Sequence, residues 1–126
     1  MKQTFFRLVI FLTLAITGLS AEESVQMFPD IVGVSVKHNG TRSDFSVTIS
    51  SPYDSPSRYA DAFRLLDENG NELGIRLLLH DHANEQPFTR SLLNVDVPGN
   101  ISKIIVQARD KRYGWGGKTH TIDWPL

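Results

Sequence analysis

Residues 31–50, IVGVSVKHNGTRSDFSVTIS, decide the fold, because they hold two alternating runs on either side of an Asn-Gly pair. In each run, apolar residues alternate with small or polar ones, as is typical of strands with one buried face. Asn-Gly between two such runs is the strongest short signal for a hairpin. We therefore predict an antiparallel pair of strands. The predicted inward residues are Val32, Val34, Val36, Phe45, Val47 and Ile49.

Five further strands follow this hairpin, separated by short segments rich in Gly, Pro, Asn, Asp and Ser. Seven short strands without a segment of helical period predict an all-β protein. The natural architecture is an immunoglobulin/fibronectin-III-like antiparallel β-sandwich, and a small open barrel is the alternative. The later strands are predicted at residues 59–66, at 72–79, around Phe88 and Leu92, at 101–109 and at 118–124. In the strand at 72–79, the apolar face is predicted to hold Leu73, Ile75, Leu77 and Leu79, with Arg76 and His80 on the opposite face.

The chain begins with a pattern that is typical of a secretory signal peptide. Two basic residues precede an apolar run, which ends near Ser20 and Ala21 and is followed by two glutamates. The run is shorter than the about 20 residues that span a bilayer. We assign residues 1–21 to the signal peptide, 22–30 to a lead-in segment and 31–126 to the β-sandwich domain, and we expect a periplasmic or secreted protein.

Composition narrows the possible functions. The chain has no cysteine, which excludes disulfides, thiol catalysis, blue-copper centres and a cysteine-linked lipid anchor. The net charge is −1, and it becomes −3 without the two basic residues of the predicted signal peptide. This balance argues against nucleic acid or an anionic membrane as the main partner. We expect an unknown protein or a small ligand as partner, with no membrane anchor after signal cleavage.

Three loops carry most of the unusual residues. In a seven-stranded Greek-key sandwich, alternate loops lie at the same end. The loops at residues 51–58, 80–87 and 110–117 therefore meet, and they are rich in charged and aromatic residues, whereas the other three are generic turns. Because binding groups concentrate on loops held by a rigid scaffold, we predict a non-enzymatic binding module. The candidate residues for binding a ligand or partner are His80, His82, Glu85, Tyr113 and Trp115.

His80 and His82 suggest an alternative function. On extended backbone, an H-x-H pair places both imidazoles on one side, about 6–7 Å apart at Cα. Imidazole combined with carboxylate suits zinc, copper or nickel, although the spacing fixes no third ligand. The pair could equally be solvent-exposed, tie the loop together or respond to pH. The alternative prediction is a periplasmic transition-metal-binding module with His80, His82, Glu85 and Asp110 as candidate ligands.

Arg90 is predicted to have a structural role. It lies on the same face of its strand as Phe88 and Leu92, so its guanidinium points into or along the core. A buried arginine requires a carboxylate partner. Asp61 and Asp110 fall on predicted inward faces near the same end, and we predict an ion network that joins Arg90 to one or both.

Residues 114–117, GWGG, allow two interpretations. The segment could be a flexible arm that presents the indole of Trp115 to a ligand. Alternatively, the glycines supply positive φ angles in a tight hairpin while Trp115 caps the end of the sandwich. On the final strand, His120 and Trp124 share the inward face with Ile122, and we place them at the edge of the core.

Catalytic motifs are few. The sequence has neither a nucleophile elbow nor a glycine-rich phosphate loop. His80 with Asp110 or Glu85 is the one pairing that offers acid–base chemistry, and we predict that the protein is not an enzyme.

Three runs carry a resemblance to known proteins: YADAFRLLDENGNELGIRLLLHDHANEQPFTRSL at residues 59–92, VDVP at 95–98 and ARDKRYGWGGK at 108–118. Together they resemble a group of small secreted bacterial proteins of unassigned function. The resemblance extends over residues 59–124 and implies a periplasmic or secreted location. It implies no activity and assigns no catalytic or ligand-binding residue.

Overall fold

The computed structural model describes residues 25–125, which form seven strands in two antiparallel sheets. The predicted signal peptide of residues 1–21, with its cleavage site, lies outside the described residues. Residues 25–125 contain no helix with the length and apolar character needed to cross a membrane. The strands are β1 (Asp30–Asn39), β2 (Arg42–Ser50), β3 (Ala60–Asp67), β4 (Glu72–Leu77), β5 (Phe88–Val95), β6 (Lys103–Asp110) and β7 (Gly114–Asp123).

The strand order confirms the predicted sandwich and excludes the open barrel. One sheet has the order β1-β2-β5 and the other the order β4-β3-β6-β7. The fourth strand pairs with β3, whereas in a constant-type immunoglobulin domain it belongs to the sheet of the first, second and fifth strands. As a result, β4 and β5 are the neighbouring edges of the two sheets. Nη1 of Arg76 bridges this gap by donating to the carbonyl of Ser91.

The core lies between the sheets and is dominated by aromatic and branched residues. Phe45, Phe63 and Phe88 are essentially fully buried, and each stabilises the fold by roughly 1.5–3 kcal/mol. Val47 and Ile49 are also fully buried, so the inward face predicted for the second strand is correct. At the edge of the core, the predicted Ile122 and Trp124 pack against this cluster. The ring of Trp124 stacks on Phe45 with centroids 5.9 Å apart.

The first strand departs from the predicted alternation. A register shift between Ile31 and Gly33 adds one residue to β1 relative to β2. Such a bulge moves side chains to the opposite face. Ile31 is therefore buried, Val34 and Val36 still pack on the core, and Val32 is 52% exposed. The prediction that Val32 points inward was wrong.

The fourth strand departs further. It ends at Leu77 and not at residue 79, and a second register shift lies opposite Leu65 and Leu66. Leu73 packs against the core, but a Cβ on Gly74 would lie 3.0 Å from Leu92, so two consecutive residues face the other sheet. Beyond this point the predicted inward face is wrong. The outward residues are Ile75 (36% exposed), Leu77 (55%) and Leu79 (79%).

The segment before β1 packs on β7. A Cβ on Gly116 would lie 2.5 Å from the ring of Phe28, and one on Gly117 would lie 2.0 Å from the carbonyl oxygen of Pro29. Gly117 also has a φ of +83°, which favours glycine. The two glycines therefore provide the space in which residues 28–29 lie against the final strand.

Candidate functional site

The three predicted loops lie together at one end of the sandwich. The loop after β4 contacts the loop after β2, because the backbone N–H of Ser51 donates to Oε1 of Gln86 over 2.7 Å. The turn after β6 is held to the same region by the N–H of Lys111, which donates to the carbonyl of Tyr59 over 2.9 Å. These hydrogen bonds therefore join the three loops at the end of the sandwich that the sequence identified.

Asp110 organises the part of this end that lies between the β2–β3 loop and β6. Its side chain is fully buried and accepts hydrogen bonds from the hydroxyl of Tyr53 (2.6 Å) and Nε of Arg58 (3.2 Å). The backbone N–H groups of Arg112 and Tyr113 donate to it over 2.8 Å. Burial opposes the charge, but these donors outweigh it and hold the pKa of Asp110 below its usual value. Its hydrogen-bonding capacity is used within the fold.

Arg90 forms its ion pair within its own loop and strand. Its Nη2 lies 3.0 Å from Oε1 of Glu85, at the edge of the sandwich. The hydrogen bond from Arg90 lowers the pKa of Glu85. The predicted network from Arg90 to Asp61 or Asp110 was wrong.

Both expected partners are engaged elsewhere. A register shift between Ala60 and Ala62 places Asp61 on the outer face of the four-stranded sheet, where Nε of Arg109 lies 2.7 Å from its Oδ1. Asp110 is bound to Arg58.

The two histidines have different environments. His80 is exposed, and its Nδ1 lies 3.0 Å from the carbonyl oxygen of Asp81. His82 is 6% exposed and stacks on Phe88 with ring centroids 3.9 Å apart and an interplanar angle of 10°. Burial lowers the pKa of His82, and the positive charge of Arg90 lowers it further, so the imidazole is neutral near pH 7.

His82 is fixed by its backbone. Asp54 accepts hydrogen bonds from the N–H of His82 (3.0 Å) and of Ala60 (3.1 Å), which ties the β4–β5 loop to the start of β3. On the other side, Nε2 of Gln86 donates to the carbonyl of His82 over 3.1 Å. The side chain is less well satisfied, since Nδ1 of His82 is buried without a hydrogen-bond partner.

Two clefts open at this loop, with volumes of about 330 Å³ and about 370 Å³. Both are lined by His80, His82 and Arg90. The first extends toward β4 along Arg76, Leu77, Leu78 and Leu79. The second extends over the loop along Asp81, Ala83, Asn84 and Glu85. Volumes above about 300 Å³ are typical of ligand pockets.

Arg76 stands out among the residues of the first cleft. It is half-buried, and it donates to the carbonyl of Ser91 but has no carboxylate partner among residues 25–125. A partly desolvated guanidinium is stabilised by an anion. The first cleft therefore has the chemistry of an anion-binding site with an apolar rim.

The predicted metal ligands do not converge. The rings of His80 and His82 lie 5.0 Å apart, but Glu85 bonds Arg90 and Asp110 bonds Tyr53 and Arg58. Within the described part of the chain, no group of three or more His, Cys, Asp or Glu residues is arranged to hold a metal ion.

Trp115 occupies neither of its predicted positions. It belongs to β7 opposite Arg109, and Cζ of Arg64 lies 3.9 Å and Cζ of Arg109 5.2 Å from its ring centre. The indole is therefore held on the outer face of the four-stranded sheet, and it lines neither cleft. Tyr113 is exposed beside Arg58 and Phe28 and also lines neither cleft. Of the predicted binding residues, the structure brings together His80, His82 and Glu85.

Arg76, Leu77 and Leu79 line the first cleft but were not among the binding residues predicted from the sequence. An arginine within an otherwise apolar strand is the signal that could have identified Arg76. The two leucines carried no such signal, because their exposure depends on the register shift in β4.

A curated protein of Halomicrobium mukohataei, named "Putative lipoprotein", is 35% identical to this chain over 95 residues. The matched region is 75% of this chain but 46% of that protein, so the chain spans about half the length of the relative it matches. No protein-family model matches the chain, and no solved structure matches it at a significant level.

Proposed function

We propose that the protein is an extracytoplasmic, non-enzymatic binding module whose site is the pair of clefts around His80, His82 and Arg90. The observation that carries the proposal is that both clefts share these three residues: the two histidines lie on a loop that Asp54 and Gln86 fix by hydrogen bonds, and Arg90 lies on β5. A rigidly held loop beside open clefts suits binding, because little ordering is needed when a ligand arrives. The first cleft is lined by two arginines and by no acidic residue. The β2–β3 and β6–β7 loops then support the site and do not contact the ligand.

The signal-peptide pattern of residues 1–21 and the name of the Halomicrobium relative support the extracytoplasmic location.

The surroundings of the histidines support a role without catalysis. A catalytic imidazole is commonly oriented by a carboxylate on its other nitrogen. Among the described residues, His80 contacts a backbone carbonyl and the buried Nδ1 of His82 has no partner. Glu85 and Asp110, the expected acid–base partners, are bound to arginines.

A titration followed by amide NMR tests the proposal. The protein without residues 1–21 would be titrated with dicarboxylates, inorganic phosphate, acidic and basic peptides, and oligosaccharides. We expect at least one class to shift the amides of residues 76–90. The shifts should weaken in Arg90→Gln and persist in Arg112→Gln, a matched change in the β6–β7 turn. Shifts that cluster at residues 110–115, or no binding by any class, would contradict the proposal.

A transition-metal site is the second candidate, favoured by the 5.0 Å separation of the two imidazole rings. Exogenous ligands would have to complete the coordination, because Glu85 and Asp110 are engaged. A thermal shift with Zn²⁺, Cu²⁺ or Ni²⁺ that is lost in His80→Ala would support this function, and His80 is exposed enough for the variant to fold. Equal shifts in both proteins would oppose it.

A further inference from the structure

The free edge of β4 is the first observation beyond the proposed site. Within residues 25–125, β4 pairs with β3 alone and ends the four-stranded sheet. Proteins usually cover or charge such edges, because unpaired N–H and C=O groups attract another strand. Here Ile75, Leu77 and Leu79 project outward and are exposed. Main-chain pairing with an exposed edge is a common mode of peptide recognition.

The second feature is the charge of the cleft beside β4. The cleft beside this edge is lined by two arginines, two histidines and three leucines, and by no acidic residue. Arg76 has no carboxylate partner among the described residues, and Arg90 shares its charge with Glu85 alone. The occupant that compensates this charge is anionic.

The same charges decide between possible occupants. A second copy of this chain pairing through β4 would bring another Arg76 and Arg90 toward these two, and like charges in proximity disfavour association. A small anion would satisfy Arg76 but leave Ile75 and Leu77 uncovered. An extended polypeptide satisfies both requirements, because its side chains alternate between two faces.

We propose that an extended acidic polypeptide segment adds to the edge of β4 and places a carboxylate between Arg76 and Arg90. Its apolar side chains cover Ile75 and Leu77. The inference rests on the proposed binding function and specifies its ligand class. The competing explanation is that Arg76 only guards the edge, since inward-pointing charges protect exposed strands from self-pairing.

Fluorescence anisotropy with a labelled peptide of alternating valine and glutamate tests the proposal, and the valine–lysine peptide and succinate serve as comparisons. We expect saturable binding of the acidic peptide only, about tenfold weaker in Arg76→Gln because one charge-assisted contact is lost. Arg76 is only partly buried and forms no ion pair among the described residues, so this variant should keep the fold. Arg42→Gln, an exposed arginine at the opposite end of the sandwich, should bind normally.

Amide hydrogen exchange adds a second readout, since pairing with the edge slows exchange in residues 75–77. Three results would overturn the proposal. They are equal binding of the valine–lysine peptide, displacement of the acidic peptide by an equal concentration of succinate, and binding that does not slow amide exchange in β4. Failure of the acidic peptide to bind would also overturn the proposal. Self-association of Arg76→Leu would then show that Arg76 protects the edge of β4 from pairing with a second copy. If another ligand class still shifts the amides of residues 76–90, the binding function stands and only the peptide assignment fails.

Discussion

The hydroxyl of Tyr53 donates a 2.6 Å hydrogen bond to the buried carboxylate of Asp110, which joins the loop after β2 to the end of β6. Burial and this bond to a carboxylate raise the pKa of Tyr53, so the hydroxyl keeps its proton at any physiological pH. The contact is thus a fixed donor–acceptor pair between two elements that support the proposed site.

Replacing Asp110 should cause a large loss of stability. In Asp110→Asn the charge of Arg58 loses its buried partner, and breaking such a pair costs about 3–5 kcal/mol. Urea denaturation, read as the free energy of unfolding, measures the change.

Asp61→Asn is the matched control, because its pair with Arg109 lies on the outer face and is partly exposed. It should cost about 1 kcal/mol or less. Equal losses in the two variants would show that Asp110 does not organise the loop end.

The free energy of unfolding should fall as the pH drops below 6.5, the ordinary pKa of histidine. The pKa of His82 is lowered from 6.5 in the folded protein, so between that lowered value and 6.5 the unfolded chain binds more protons. The contribution of His82 is complete above pH 6.5 and is lost as the pH falls through its folded pKa. Asp110, whose folded pKa lies below 3.8, loses its contribution only at lower pH.

Urea midpoints between pH 5 and pH 7.5 measure the effect. His82→Gln should have a flatter profile than the wild-type protein, because the variant lacks the imidazole that gains a proton on unfolding. A wild-type profile without a decline below pH 6.5 would contradict the prediction.

The sequence was most informative where a strand alternates without interruption. Phe45, Val47 and Ile49 are buried as predicted, because β2 is the central strand of its sheet and pairs on both sides. Likewise, the placement of three loops at one end follows from strand count and antiparallel pairing alone.

The wrong predictions of which side chains face inward follow from register shifts, which the alternation of apolar and polar residues does not reveal. A bulge changes the face on which side chains lie: Val32 and Asp61 lie within such shifts, and Leu79 follows one. The partner of Arg90 could not be predicted for the same reason, since Asp61 was available only if β3 alternated regularly.

For the GWGG segment of residues 114–117, the predicted positive φ angles are correct, and what the sequence did not show has a different cause. Its glycines were interpreted as turn residues, and Gly114 and Gly117 do have positive φ angles. The requirement for space at Gly116 and Gly117 comes from Phe28 and Pro29, which are distant in sequence. The sequence of the segment alone gives no sign of that contact.

Gly117→Ala should be strongly destabilising. The new Cβ would lie 2.0 Å from the carbonyl oxygen of Pro29, and backbone atoms yield little. The positive φ adds about 1–2 kcal/mol of strain. Thermal denaturation should show a lower Tm, with increased proteolysis of the segment before β1.

Gly70→Ala separates the two contributions. Its φ is +85°, but nothing lies within 4 Å of the position of its Cβ, so this variant pays for strain alone. Equal changes in Tm for the two variants would mean that the segment before β1 does not pack on β7.

Two adjacent leucines provide the most direct test of how β4 leads into the site. Leu78 is 4% exposed and its N–H donates to the carbonyl of Asp61, whereas Leu79 is 79% exposed. Leu78→Ala should cost about 2–4 kcal/mol because it leaves a cavity in the core. Leu79→Ala should change the free energy of unfolding by no more than about 0.5 kcal/mol. Regular alternation from Leu73 predicts the reverse order, so a larger loss for Leu79→Ala would restore the inward face expected from the sequence. It would also remove the apolar rim of the cleft.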